Sequence, residues 1–187
     1  MSVCEKVTDL AAVRAALPKR PADANKATFG RVLLVCGSDG MRGCAALAVL
    51  GALRCGAGLV TLASTRAVID TVSAAVFEAT YLDRAAGDLF AVAAKASAVG
   101  YGCGLGQSAE VGETLRRLLD TPGAPLVIDA DGLNALAAAP GVLRQAARPV
   151  VLTPHPLEFA RLCGKSVAAI QADRAAAAAA FAKAYFN

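Results

Sequence analysis

Short apolar runs alternate with helix-forming stretches along most of this chain, and that alternation constrains its fold more than any other feature. Arg31-Val-Leu-Leu-Val-Cys36, Leu59-Val-Thr-Leu-Ala63, Pro125-Leu-Val-Ile-Asp129 and Val150 to Leu152 read as strands, and Lys95 to Val99 leads into a glycine cluster. Between them lie helical stretches: about Cys44 to Arg54, Ala67 to Ala75, and a helix capped by Ser108 that reaches Leu119. Asp131 is expected to cap a short helix beginning near Gly132. Pro156 to about Cys163 follows, and a last helix runs from about Ser166 through Arg174 and the alanine run 175–180. Leu10 to Leu17 is helix-like and precedes a basic, Pro-rich connector, Pro18-Lys-Arg-Pro21. Strands and helices in alternation imply a parallel sheet joined by right-handed crossovers. A length of 187 residues suits one domain, 1–187, and is too short for two comfortable ones.

Composition narrows the function. The chain is 56% hydrophobic, but charge, Gly or Pro interrupts the apolar content before a membrane span could form. Met1 to Asp9 has no apolar signal core, so a cytoplasmic protein is expected. Six cysteines (4, 36, 44, 55, 103, 163) form no Cys-x-x-Cys pair and share the chain with one histidine. That inventory speaks against a zinc site and for free thiols in a reducing cytosol; no protein-built metal site is expected. The net charge of +4 is spread out and aromatics are sparse, which gives nucleic-acid binding little support.

Four loops are expected at the carboxyl edge of the sheet, where open α/β folds bind ligands. Gly37-Ser-Asp-Gly-Met-Arg-Gly43 lacks both the dinucleotide and the P-loop glycine patterns, yet lets backbone approach a ligand beside a helix N-terminus. A plain strand–helix turn explains it equally well. Gly100-Tyr-Gly-Cys-Gly-Leu-Gly106 holds more glycines than a tight turn needs, pointing either to a flat ligand on the main chain or to loop flexibility. Asp129, Asp131 and Asn134 at the third strand end suit a metal-bound phosphate or a sugar hydroxyl, with ordinary capping as the competing role. In the fourth loop, Thr153-Pro-His-Pro-Leu-Glu158, Pro156 suits a first helical position and Glu158 the first turn. His155 therefore sits at a helix N-terminus, where a neutral, hydrogen-bonding imidazole is expected.

In order along the chain, Lys26-Ala-Thr-Phe-Gly30, Gly37-Ser-Asp, Gly43-Cys-Ala-Ala-Leu-Ala48, Gly56-Ala-Gly-Leu-Val60, Gly102-Cys-Gly-Leu-Gly106, Asp129-Ala-Asp-Gly-Leu-Asn134 and Thr153 to Glu158 resemble the ADP-dependent (S)-NAD(P)H-hydrate dehydratases. The resemblance implies a ribokinase-like three-layer sandwich with a mostly parallel sheet. It also implies repair of hydrated NADH or NADPH: ADP or ATP phosphorylates the added hydroxyl, and loss of phosphate restores the reduced cofactor. NAD(P)H-hydrate is then the substrate, ADP or ATP the co-substrate, and Mg2+ is expected with it. Gly43, Cys44, Gly104, His155 and Glu158 would contact the dinucleotide, with Asp129, Asp131 and Asn134 on the phosphate or metal side. Cys44 replaces the family's usual alanine and Cys103 a common proline, neither removing a needed group. Relatives of this kind often self-associate, so a homo-oligomer is also implied.

The resembling family continues with a strand ending in Lys-Gly that holds the nucleotide, then a Gly-rich segment ending in Gly-Asp that acts at the substrate hydroxyl. Neither follows before Asn187. The chain is therefore expected to be C-terminally truncated, an N-terminal portion with the catalytic Gly-Asp beyond its end. The helix after Ser166 should then leave one face uncovered beside an open sheet edge. Two other readings are a small-molecule kinase of the same superfamily, acting on a vitamin precursor or sugar, and a non-catalytic remnant that binds dinucleotide.

Overall fold

Six strands make one sheet: β1 (Arg31–Val35), β2 (Leu59–Ser64), β3 (Thr80–Asp83), β4 (Ala98–Tyr101), β5 (Leu126–Ile128) and β6 (Val150–Leu152), in the spatial order β3-β2-β1-β4-β5-β6. All five pairings are parallel, as the alternation required. The computed structural model describes residues 9–19 and 21–186; the N-terminal stretch read for a signal, and Cys4 with it, lies outside them. The helices are α1 (Leu10–Ala16), α2 (Arg42–Arg54), α3 (Arg66–Ser73), α4 (Leu89–Ala93), α5 (Ala109–Asp120), α6 (Asp131–Ala137), α7 (Pro156–Cys163), α8 (Val167–Ala172) and α9 (Arg174–Tyr185).

The order of strands decides where the helices lie. From β1 the chain steps to β2 and β3 on one side, then crosses back to β4 and continues to β5 and β6 on the other. Right-handed crossovers place helices of opposite stepping direction on opposite faces. Accordingly α2 and α3 bury Ala45, Val49, Val68 and Val72 against Val60 and Leu62 on one face. On the other, α4 to α7 bury Leu89, Val111, Leu115, Leu118, Leu133 and Phe159 against Leu33, Val99, Leu126 and Ile128. The result is the expected three-layer sandwich.

Several boundaries differ from the sequence reading. β3, Thr-Tyr-Leu-Asp, offers no apolar run and α4 is only five residues long, so the sequence marks neither. The helix expected from Ser166 is two, because Asp173 ends α8 and caps α9, its carboxylate accepting from the Ala176 N–H at 2.9 Å. A chain-stopping cap outweighs alanine's helix preference at that point. Ser108 stands before α5 but its hydroxyl makes no capping bond. The capping role expected of Asp131 is also wrong. Ala130 occupies the cap position, with φ of 48° and no side chain able to bond, and Asp131 is the first helical residue.

α9 is largely exposed, with Phe181 its one buried residue, packed edge-on against Phe159 at 5.4 Å between ring centroids. β6 lies at the sheet edge, and its Val151, on the face away from Ile128, is 50% exposed. The uncovered face and open edge expected near the C-terminal helices are both present.

Candidate functional site

The point where the strand order reverses lies between β1 and β4, and crevices for ligands in such sheets open there, at the carboxyl ends of the strands. Gly37 follows β1, Gly104 follows β4, Asp129 follows β5 and His155 follows β6, so all four loops meet at one edge. The first two are joined across the reversal: the Gly37 N–H donates to the Cys103 carbonyl at 2.8 Å, and the Gly102 N–H to Val35 at 3.1 Å. Their contact is close enough to require glycine. Gly104 has φ of 65°, and a Cβ there would overlap Cys44 Sγ and lie 3.0 Å from Met41 Cβ. Glycine at 104 is thus set by a left-handed backbone and by the approach of α2, more than by flexibility. Gly43, in the first turn of α2, is exposed beside Cys44.

Asp129 ties three loops together. Its Oδ1 accepts from the Thr153 hydroxyl at 3.0 Å and its Oδ2 from the Cys103 thiol at 3.2 Å. This is the partner set that a half-buried carboxylate at a strand end needs. Asp131 Oδ2 accepts from the Gly106 N–H at 2.8 Å, and its Oδ1 from Asn134 at 3.5 Å. Asn134 Oδ1 in turn accepts from Arg161 Nη1 at 2.8 Å. The residues singled out as phosphate- or metal-side candidates therefore come together, and each is already bonded to protein. No group of three or more His, Cys, Asp or Glu suited to hold a metal ion occurs among the described residues.

His155 is the N-cap of α7. Its Nδ1 accepts from the N–H groups of Leu157 (3.2 Å) and Glu158 (3.4 Å), which requires that nitrogen to carry no proton. Glu158 completes a capping box: one carboxylate oxygen accepts from the His155 N–H at 2.9 Å, and the other lies 3.2 Å from Nε2. Glu158 is buried, while the imidazole is 58% exposed on the ligand edge. The loop is thus held rigid by the two residues that the Pro-His-Pro-x-Glu spacing brought to notice.

Three thiols gather under this edge. Burial pushes Cys36 up to about 12, with Cys103 and Cys44 adding and Arg84 opposing. Burial also raises Cys103 to about 12, reinforced by the hydrogen bond and charge of Asp129, and it raises Cys44 as well. All three are uncharged thiols at neutral pH, poor nucleophiles that serve as small packing groups. The five cysteines among the described residues are free. Cavity volume alone does not mark the site. A space of about 550 Å³ between α5 and α6, lined by Leu115, Leu136 and Val142, lies away from the loops, whereas one of about 280 Å³ opens beside Asp131 and Asn134.

Sheet order and three layers, with glycine loops meeting at the reversal, define an open, doubly wound α/β protein. The solved ribokinase-like protein from Enterococcus faecalis superposes with a TM-score of 0.77 over 89% of this chain and 58% of its own, at 24% identity. The carbohydrate-kinase-type family model described as NAD(P)H-hydrate dehydratase matches residues 32–186, and the chain belongs to that family. It is 41% identical over 181 residues to a bifunctional NAD(P)H-hydrate repair enzyme from Moorella thermoacetica, covering 91% of this chain and 34% of the relative. It is 39% identical over 169 residues to the ADP-dependent (S)-NAD(P)H-hydrate dehydratase of Bacillus subtilis, covering 87% and 58%. A structure of ADP/ATP-dependent NAD(P)H-hydrate dehydratase from Bacillus subtilis, co-crystallised with ATP and Mg2+, matches with a TM-score of 0.78 and 34% identity, covering 94% of this chain and 62% of that one. The chain thus spans between about a third and three fifths of the length of these relatives.

Proposed function

We propose that this chain forms the dinucleotide side of a site for ADP- or ATP-dependent dehydration of (S)-NAD(P)H-hydrate, a nicotinamide-nucleotide repair reaction. The observation that carries the proposal is the approach of Gly104 to Cys44 across the strand-order reversal. In this reading the main chain of the glycine loops forms the surface on which a flat nicotinamide ring lies. Gly43 and Cys44 would border the ring on the α2 side and Gly104 would lie beneath it. His155 and Glu158 would bound it from the β6 loop, with the imidazole as a neutral hydrogen-bonding edge. Asp129, Asp131 and Asn134 hold those loops in register, so their contribution to binding is positional.

Phosphoryl transfer depends on positioning and charge stabilisation of the moving group. The loops at the strand-order reversal carry no cluster of cations suited to that task among the described residues, and the relatives are longer than the span matched. We assign the nucleotide side to sequence outside that span, with Mg2+ accompanying the nucleotide. A cytoplasmic setting fits a reaction on soluble NAD(P)H, and no helix among the described residues is long and apolar enough to cross a membrane. The superfamily's kinases remain a second chemistry for this fold, but the matched family model favours dehydration.

Two measurements on the purified 187-residue chain test this reading. Titration with NADPH, followed by nicotinamide fluorescence, is expected to show saturable binding that His155→Ala weakens. The absorbance of reduced nicotinamide, followed with NADPH-hydrate and ADP or ATP, is expected to show no turnover beside a full-length relative as control. Absence of NADPH binding would remove the dinucleotide assignment; turnover near the control's rate would remove the division of labour.

A further inference from the structure

A second polar cavity, of about 460 Å³, opens at the carboxyl edge between the N-termini of α4 and α5, apart from the four loops. Arg84, which directly follows β3, lines it together with Asp88, Phe90, Glu110, Thr114 and Arg117. Arg84 Nε is buried and has no hydrogen-bond partner, the only such side-chain atom among the described residues. That nitrogen is enclosed by protein, which holds the guanidinium in place, and the rest of the Arg84 side chain makes no hydrogen bond among the described residues.

The four charged groups around the cavity are not spent on one another. Among the described residues neither Arg84 nor Arg117 forms an ion pair with Asp88 or Glu110. The guanidinium carbon of Arg117 stands 3.6 Å from the centroid of the Phe90 ring, a cation–π contact that holds this group beside the cavity. Asp88 uses Oδ1 to cap α4, accepting from the N–H groups of Phe90 and Ala91 at 3.0 Å, and its other oxygen accepts no hydrogen bond among the described residues.

We infer that this cavity is a binding site for a ribose phosphate group. Two guanidinium groups suit a phosphoryl oxyanion, which they can grip with paired N–H donors. Two carboxylates with open oxygens suit sugar hydroxyls, the pairing by which acidic side chains hold ribose in other α/β folds. An anion alone would leave Asp88 and Glu110 as repelling neighbours, and a sugar alone would leave two guanidinium groups without an anion. The inference stands apart from the proposed reaction, since none of these residues belongs to the crevice at the reversal.

Isothermal titration of the 187-residue chain with ribose 5-phosphate, ribose and inorganic phosphate tests it. Ribose 5-phosphate should bind at least tenfold more tightly than either of the others. Arg84→Gln and Arg117→Gln should each weaken it at least tenfold. Arg84→Gln should leave the thermal transition of the unliganded protein unchanged or higher, because the side chain makes no internal hydrogen bond; Arg117, being exposed, provides a variant whose folding is not in question. Competition then identifies the source. Displacement of ribose 5-phosphate by NADPH would mean that the cavity takes the ribose phosphate of a dinucleotide, and its failure would mean a separate sugar phosphate. No binding to the wild type, binding unchanged in both variants, or inorganic phosphate binding as tightly would overturn the inference.

Discussion

Replacing Gly104 by alanine tests the closest contact in the crevice, and the structure divides its cost into two parts. The backbone at 104 is left-handed, with φ of 65°, and an L-residue there costs about 1–2 kcal/mol. The new methyl would also overlap Cys44 Sγ and press on Met41 Cβ at 3.0 Å. Sγ can swing away only by giving up its single S–H donor contact, shared between the carbonyls of Met41 (3.1 Å) and Cys103 (3.4 Å). Forcing an extra methyl into a filled site costs about 1–3 kcal/mol, so the single variant should lose roughly 2–5 kcal/mol in all. Cys44→Ala alone should cost about 1 kcal/mol, the worth of one shared thiol bond and its packing. In the double variant the overlap is gone and the backbone part remains. The two changes should therefore couple by about 1–3 kcal/mol in the direction of rescue, well above the few tenths seen for independent sites. Urea unfolding of the wild type, both single variants and the double variant measures this directly. NADPH titration of the same four proteins shows whether the floor of the crevice follows. Simple additivity within about 0.5 kcal/mol would refute the claimed approach of the two loops, as would a Gly104→Ala protein as stable as the wild type.

Ala130, with φ of 48° and ψ of −115°, sits in a region that favours glycine, so Ala130→Gly should stabilise the chain by about 1 kcal/mol in urea unfolding; a clear loss would mean the conformation is not strained. Asp129→Ala should cost about 1–3 kcal/mol by leaving the Cys103 thiol and Thr153 hydroxyl without their acceptor, and Asp129→Asn less, since an amide oxygen can still accept; equal losses would argue against the hydrogen bonds as the cause. Cys36 is 3% exposed and held near 12, above the ordinary value of 9.0, so between those values the unfolded chain has lost a proton that the folded chain keeps. Stability from this group is complete below pH 9.0 and should fall by roughly 1.4 kcal/mol per pH unit as pH rises toward 12, a slope that Cys36→Ala should reduce in unfolding curves taken from pH 8 to 11.

How much of this was legible in the sequence depends on what each feature is made of. Strands built from consecutive Val, Leu and Ile stood out, and β1, β2, β5 and β6 lie within a residue or two of where the apolar runs put them. β3 reads Thr-Tyr-Leu-Asp and α4 is five residues long, so neither offers a window in which a period can be detected. Pro156 and Glu158 announced the start of α7, because proline at a first helical position and an acid in the first turn are local chemistry. Asp131 misled for the complementary reason. An acid before a short apolar helix is the usual sign of a cap, but its oxygen is claimed by the Gly106 N–H, 25 residues away in sequence, and the cap position falls to strained Ala130. The Arg84 cavity could not be foreseen either. It depends on two helix N-termini lying side by side and on which cations lack partners, and both are properties of the packed chain.

The ties around Asp129 bear on how the crevice would work. A ligand resting on loops pays for ordering them unless they are ordered beforehand. Here the β1 and β4 loops are joined by main-chain hydrogen bonds, the β4, β5 and β6 loops by one carboxylate, and the β6 loop is stiffened by the His155–Glu158 capping box. Residues that chemistry alone would assign to the ligand are thus engaged in holding shape, and the surface left for the ligand is largely main chain of the glycine loops. Substituting a tie should therefore lower affinity by loosening the crevice without removing a ligand contact. Asp129→Asn should consequently raise the NADPH dissociation constant more than Cys44→Ala does, although Cys44 stands nearer the proposed ring position. The reverse ranking in a fluorescence titration would mean that the crevice binds by side-chain contact and not by preformed backbone.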